Sequence, residues 1–290
     1  MISLSLVVIV GMVIVQVMLS QSRVVQQTTE QVRVREALRR GMDLMSADLR
    51  GISPPQGDIV SFTSTSLSVL ATIGSGIVCR VNGASSAPTS IDLVPENATK
   101  AAMTFFTDPP IAGDSTELLT LSNSTWQTVG ITAVSTSTSA CTGSFFLSAP
   151  ADNGRTSYRL SGTFPAVVDT GDVVRIVRQV RYSLTQQGSG TWYLARGEDR
   201  RTNRSSAIAE NQWTSTVVAG PFRSGTGTPA GLRVQLFDDA GNELTSATQA
   251  QADRVALVFR GIGNSTSAPS GVFARAVADS LVLSVLLRNR

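Results

Sequence analysis

The residues able to do chemistry are few in this chain, and their spacing argues against catalysis. No histidine occurs among the 290 residues, which removes imidazole general acid–base catalysis and every zinc site that uses an imidazole ligand. The only cysteines are Cys79 and Cys141, too few for a four-cysteine zinc site and too far apart for a CxxC redox motif. Two readings of them stay open: one disulfide within an exported domain, or two buried free thiols. Asp238, Asp239, Asn242 and Glu243 could offer oxygens to a cation, but they lack EF-hand spacing and read as a turn. Gly225–Gly231 lacks the G-x-G-x-x-G pattern and a strand–helix setting, so it reads as a loop. Glu198, Asp199, Arg200, Arg201 and Arg204 read as a solvated charged run, and Asp43 and Asp48 stand among arginines on a helical stretch, where ion pairing is ordinary. No nucleophile elbow, P-loop or metal-ligand cluster appears. The expectation is a protein that is not an enzyme, with no catalytic residue, no cofactor, no metal and no small-molecule substrate.

Composition points the same way. The formal charge of +3 comes almost wholly from arginine, Lys100 being the only lysine. The arginines are spread without a dense block, which argues against a dedicated nucleic-acid surface. Charged residues make up only 16% of the chain, while Ser, Thr, Gly and Val dominate its interior. That mixture suits a β-rich domain with many turns.

The strongest element is N-terminal. Ile2–Ser20 carries no charge and only four polar residues, Ser3, Ser5, Gln16 and Ser20. About 19 residues at about 1.5 Å each span about 28 Å, close to the thickness of a bilayer's hydrocarbon core. Residues 2–20 are therefore expected to form a transmembrane helix, with Leu4, Leu6, Val7, Val8, Ile9, Val10, Val13, Ile14 and Val17 as its membrane and assembly face. No basic region precedes the run and no A-x-A cleavage site follows it, which argues against a cleaved signal. Nothing stops the helix at Ser20. Val34, Leu38, Met42, Met45, Leu49 and Ile52 recur every three or four residues, so residues 21–52 read as an amphipathic stalk whose apolar stripe packs on the following domain. Gly51 with Pro54 and Pro55 is the stop signal.

Beyond Pro55 the periodicity becomes strand-like. Candidate strands are Ser66–Ile73, Ile77–Val81, Met103–Thr107, Glu117–Ser122, Trp126–Val134, Val174–Leu184, Thr191–Arg196, Leu232–Leu236, Arg254–Arg260 and Ser280–Leu287. In Val174–Leu184, Val174, Ile176, Val180, Tyr182 and Leu184 share one face, with Arg178 the exception. Gly188-Ser189-Gly190 turns this strand into the next, making a hairpin. Ser135–Ser144 and Gly261–Gly271 read as surface loops. The expected fold class is α+β: a long N-terminal helix, transmembrane then amphipathic, packed on a mainly antiparallel β domain over 53–290. A boundary near 165 would divide that domain into two lobes.

An apolar helix, a Gln/Arg-rich amphipathic continuation and a β domain resemble type IV pilins and type II secretion pseudopilins. Arg35-Glu36-Ala37-Leu38 with Asp48-Leu49-Arg50 resembles the R-x-A-L … D-L-R stretch of the PilW-like minor pilins and J-type pseudopilins. Val180–Arg196, with Tyr182 and Tyr193-Leu194-Ala195-Arg196, is similar to their V-x-Y-x-L … L-Y-R hairpin, and Leu287-Arg288-Asn289-Arg290 to their L-R-N-R ending. The family's precursors carry a basic leader ending in Gly, then Phe-Thr-Leu-x-Glu. Ser5 or Leu6 stands where that glutamate is expected, and the expectation is a start upstream of Met1. The resemblance implies a structural subunit held in the bacterial inner membrane, single-pass, with its C-terminal domain outside the cytoplasm. It implies membrane lipid and other pilin-like subunits as partners of the helix, with secreted protein or DNA as partners at a filament tip. The other reading is a single-pass, membrane-anchored β-rich binding or sensory domain that does not polymerise.

Overall fold

The computed structural model describes residues 2–287 apart from 101–103, 123, 149, 189, 203–207 and 264–277, and the side chains of residues 2–10 and Arg23 lie outside the description. Among these residues a single α-helix, α1 (Ile2–Arg50), comes first. It ends where the sequence turns to Gly51, Pro54 and Pro55, the two prolines opening a short 3-10 turn (Pro54–Gln56) closed by Gly57 at φ 86°. A helix cannot continue through adjacent prolines because each lacks the donor that the ladder needs.

Among the described residues fourteen strands follow: β1 (Ile59–Thr63), β2 (Ser66–Ala84), β3 (Ala87–Leu93), β4 (Phe105–Phe106), β5 (Ser115–Thr120), β6 (Thr125–Gly130), β7 (Ala133–Ser137), β8 (Ser157–Ser161), β9 (Val173–Gln187), β10 (Thr191–Glu198), β11 (Thr214–Phe222), β12 (Leu232–Phe237), β13 (Arg254–Ile262) and β14 (Ala278–Leu286). They form one hydrogen-bonded sheet system of antiparallel pairs. β2 and β9 are its spine, paired from Ser66↔Ser183 to Ile77↔Val173. Each changes partner along its outer edge. β2 pairs with β1 near its start and β3 near its end; β9 pairs with β5 through Val173–Val177 and with β10 through Val180–Gln187.

That change of partner creates two large cores, with a smaller buried cluster of Ile77, Cys79, Val94, Ala98 and Cys141 beside them. One lies under α1 and gathers Leu67, Val69, Val180, Tyr182, Leu194, Phe222, Leu232, Val234, Leu236, Val255, Leu257 and Phe259. The other holds Ile73, Val78, Ile91, Leu93, Leu118, Leu160, Val174 and Ile176. The division therefore runs across the middle of β2 and β9. On β13 the alternation is complete, with Val255, Leu257 and Phe259 buried and their neighbours half-buried, as expected for a strand with one covered face. Beside the second core, Cys79 on β2 and Cys141 form a disulfide with a Cα–Cα distance of 5.5 Å. Closing a loop of 62 residues restricts the unfolded chain by about 4 kcal/mol in the chain-entropy model.

The fold class expected from sequence is corrected. The molecule is β-rich, an extensive antiparallel sheet with one helix laid over part of it, rather than an α+β protein built on a transmembrane helix. Among the described residues no helix is long and apolar enough to cross a membrane. From Gly11 on, where the side chains are described, Gln16, Ser20, Gln21, Ser22, Gln26 and Gln27 dilute the apolar residues. Leu4, Leu6, Val7, Val8, Ile9 and Val10, also assigned to the membrane face, have side chains outside the described residues.

Candidate assembly interface

The helix divides into two parts with opposite environments. From residue 34 onward it is docked: Val34, Leu38, Met45, Leu49 and Ile52 are fully buried, and Met42 packs partly buried against the same core. Fully burying five such side chains contributes about 10 kcal/mol of gross transfer free energy before ordering costs. Two glycines let the helix come this close. A Cβ at Gly41 would stand 3.1 Å from Leu194 Cδ2, and one at Gly261 only 2.5 Å from Val34 Cγ1. Gly261, expected in a loop, is instead a strand residue of β13 paired with Phe222 and Asp279.

Polar contacts fix the register of docking. Tyr182 Oη donates to Asp48 Oδ2 at 2.6 Å, and Arg196 Nε reaches the same oxygen at 3.2 Å. Burial and the Asp48 charge push the Tyr182 phenol well above its ordinary value, so it remains a donor. At the other end of the docked part Arg35 Nε donates to Asp279 Oδ2 at 2.7 Å. Arg35 lowers the Asp279 carboxyl through that hydrogen bond. Asp48, Tyr182 and Arg196, far apart in the chain, meet at one point between helix and sheet.

The network continues inward. Arg196 and Arg200 both bind Glu198; burial would raise that carboxyl, but the two guanidiniums outweigh it and hold it below the ordinary range. Arg178, the exception on the apolar face of β9, is 1% exposed and donates through Nε and Nη2 to both oxygens of Asp114 at 2.9 Å. Asp108, the Pro109 carbonyl and the more distant Glu198 are its other acceptors. A buried guanidinium is tolerable only with such a set of acceptors. The Glu198–Arg201 run is therefore not a solvated loop: Asp199 is fully buried and held by Arg201 through two bonds of 2.9 Å. Arg204 lies outside the described residues.

The second part of the helix is bare. Met12, Val13, Ile14, Val15, Val17, Met18, Leu19, Val24, Val25 and Val32 are 49–66% exposed. Over Met12–Leu19 these side chains surround the axis rather than lining one stripe, the pattern of a helix covered on all sides. Patches of this extent mark interaction sites. Thr28 and Thr29 donate their hydroxyls back to the Val24 and Val25 carbonyls, four residues earlier. These polar groups are thus satisfied within the helix and place no demand on whatever surrounds it.

No protein-family model matches the chain, and neither a curated protein nor a solved structure matches it. The likeness to pilins rests on the residues quoted above.

Other groups singled out in the sequence do not assemble into a site. Both Asp238 oxygens accept hydrogen bonds from Asn242, closing the turn after β12. Gly225–Ala230 lines a cavity of about 440 Å³ with Ser64, Thr65, Arg233 and Arg260, and Arg260 is engaged by the Ala230 carbonyl at 2.8 Å. Among the described residues no group of three or more acidic or thiol side chains could hold a metal ion. What the sequence did not show was the pairing of Arg178 with Asp114. Its one signal was a charge standing in an apolar register.

Proposed function

We propose that this protein is a structural subunit that assembles with pilin-like partners through its N-terminal helix, the β domain facing outward from the assembly. The observation that carries this reading is the ring of exposed apolar side chains on Met12–Leu19, continuous with a segment rigidly docked on the sheet. Exposed Val, Ile, Leu and Met on a projecting helix gain most by packing against equivalent helices, ridges into grooves. The docked half holds the projecting half in a set direction, which a repeating assembly requires. The disulfide is consistent with an oxidising compartment outside the cytoplasm. On this reading the interacting residues are Val13, Ile14 and Val17, and the chemistry is packing rather than catalysis.

Val13→Asp tests it. The carboxylate would have to be desolvated in a helix–helix contact, which prevents packing. The variant is expected to keep its folded β domain and its Cys79–Cys141 bond while losing co-assembly with pilin-like partner subunits. Wild-type assembly by the variant would overturn the reading.

A further inference from the structure

Where the helix hands over to the sheet, two carboxyl groups share one guanidinium. Asp58, just past the 3-10 turn, is fully buried, and Glu117 on β5 is 2% exposed. Arg175 on β9 donates Nη2 to Asp58 Oδ2 at 2.9 Å, Nη1 to Glu117 Oε2 at 2.8 Å and Nε to Thr72 Oγ1 on β2 at 2.7 Å. Asp58 also takes the Ser53 backbone N–H on Oδ2, and its carbonyl takes the Leu70 N–H at 2.7 Å. Asp58 Oδ1, although buried, meets no donor. The cluster thus joins the linker after α1 to both β strands of the spine and to β5 of the second core.

Charge counting exposes the problem. Two ionised carboxylates against one guanidinium leave a net negative charge in a place closed to water, which is costly. Burial pushes the Glu117 carboxyl up, Arg175 opposes the rise and Asp58 adds to it, bringing it to about 7. Arg175 and Asp58 are the charged groups acting on Glu117, with Thr72 and Ser53 supplying neutral contacts. A proton on Glu117 removes the surplus charge and supplies the donor that Asp58 lacks.

We propose that Asp58 and Glu117 hold one proton between them, locking the joint between the helix linker and β5, and that losing this proton on the alkaline side loosens the joint. The sign follows from linkage: the stabilisation is full below the ordinary value of 4.5 and is lost as pH rises through about 7.

The test uses the full chain, its unfolding equilibrium followed from about pH 5.5 to about pH 8.5 in wild type, Glu117→Gln and Asp58→Asn. The wild-type unfolding constant should rise about thirty-fold across that window from this group. Glu117→Gln keeps shape and a donor to Asp58 but cannot ionise, so this part of the rise should vanish. Infrared difference spectra give a readout independent of variant stability. A protonated-carboxyl band should be present at the acid end of the window in wild type and bleach by the alkaline end. In Asp58→Asn, where Arg175 faces one carboxylate, the band should bleach at a lower pH than in wild type. A wild-type spectrum without a titrating carboxyl band, or a Glu117→Gln profile that keeps the wild-type slope, would overturn the proposal.

Discussion

Replacing Asp114 with alanine tests whether the Arg178 network organises the sheet. Arg178 is 1% exposed and Asp114 fully buried, joined by two parallel bonds of 2.9 Å. Removing the carboxylate strands a guanidinium in the core with Asp108, the more distant Glu198 and one carbonyl as its remaining acceptors. Breaking a buried pair by deleting one partner costs about 3–5 kcal/mol. Because two carboxylates remain in reach, the expected loss is at the lower end, about 3 kcal/mol, or a fall in Tm of about 6–12 °C for a chain of this size. The Ile111 N–H, which donates to Asp114 Oδ2 at 2.9 Å, is orphaned as well. Arg178→Met alone leaves a buried carboxylate without its guanidinium and should cost a similar amount. The double variant removes both charges, so its loss should be smaller than the sum of the singles by about 2 kcal/mol or more. Urea and thermal unfolding of the three variants, followed by tryptophan fluorescence and circular dichroism, measure the cycle. An Asp114→Ala cost under about 1 kcal/mol, or strict additivity in the double variant, would refute the argument.

Two further outcomes concern the docked helix. Tyr182→Phe deletes the hydrogen bond to Asp48 without changing shape and should cost about 1.5–2 kcal/mol, measured in the same unfolding assays; no loss would mean that water replaces the phenol without penalty. Gly261→Val places a side chain where Val34 already lies, 2.5 Å from the nearest atom, and overpacking of this kind costs about 1–3 kcal/mol. Faster tryptic cleavage after Arg39 and Arg40 would report the lifted helix, whereas an unchanged digestion rate would show that β13 absorbs the extra volume.

Much of the local structure was legible because it depends on neighbours in sequence. The stripe from Val34 to Ile52 repeats at the helical period and lies against the sheet, and Gly51, Pro54 and Pro55 end the helix where backbone chemistry requires. The alternation in Val174–Leu184, Leu232–Leu236 and Arg254–Arg260 marks strands with one covered face. β1, β3, β8 and β11 were not read, and β7 runs from the end of Trp126–Val134 into the expected loop Ser135–Ser144. Each is short or carries Pro, Gly, Ser and Thr, so its pairing in the sheet rather than its own propensity makes it a strand. Ser66–Ile73 and Ile77–Val81 were read as two strands, yet the ladder to β9, shifted in register between Thr72 and Gly74, carries the backbone through Gly74 and Gly76 as a single β2.

The membrane expectation shows the limit of composition. An apolar run is a statement about solvent, and the same Val, Ile, Leu and Met residues are suited to lipid or to other helices. Among the described residues no helix is long and apolar enough to cross a bilayer, and Met12, Val13, Ile14, Val15, Val17, Met18 and Leu19 stand exposed.

By itself the sequence determined the periodicities, the helix stop, the absence of imidazole chemistry and the single pair of thiols, because these depend on residue type and local spacing. Only the tertiary structure decided which charges meet. Arg178 finds Asp114 across 64 residues and Asp48 finds Tyr182 across 134. Glu117 and Asp58 converge on Arg175 from separate strands and turns. Such contacts are set by strand order and by the partner changes along β2 and β9, and no short-range pattern encodes them.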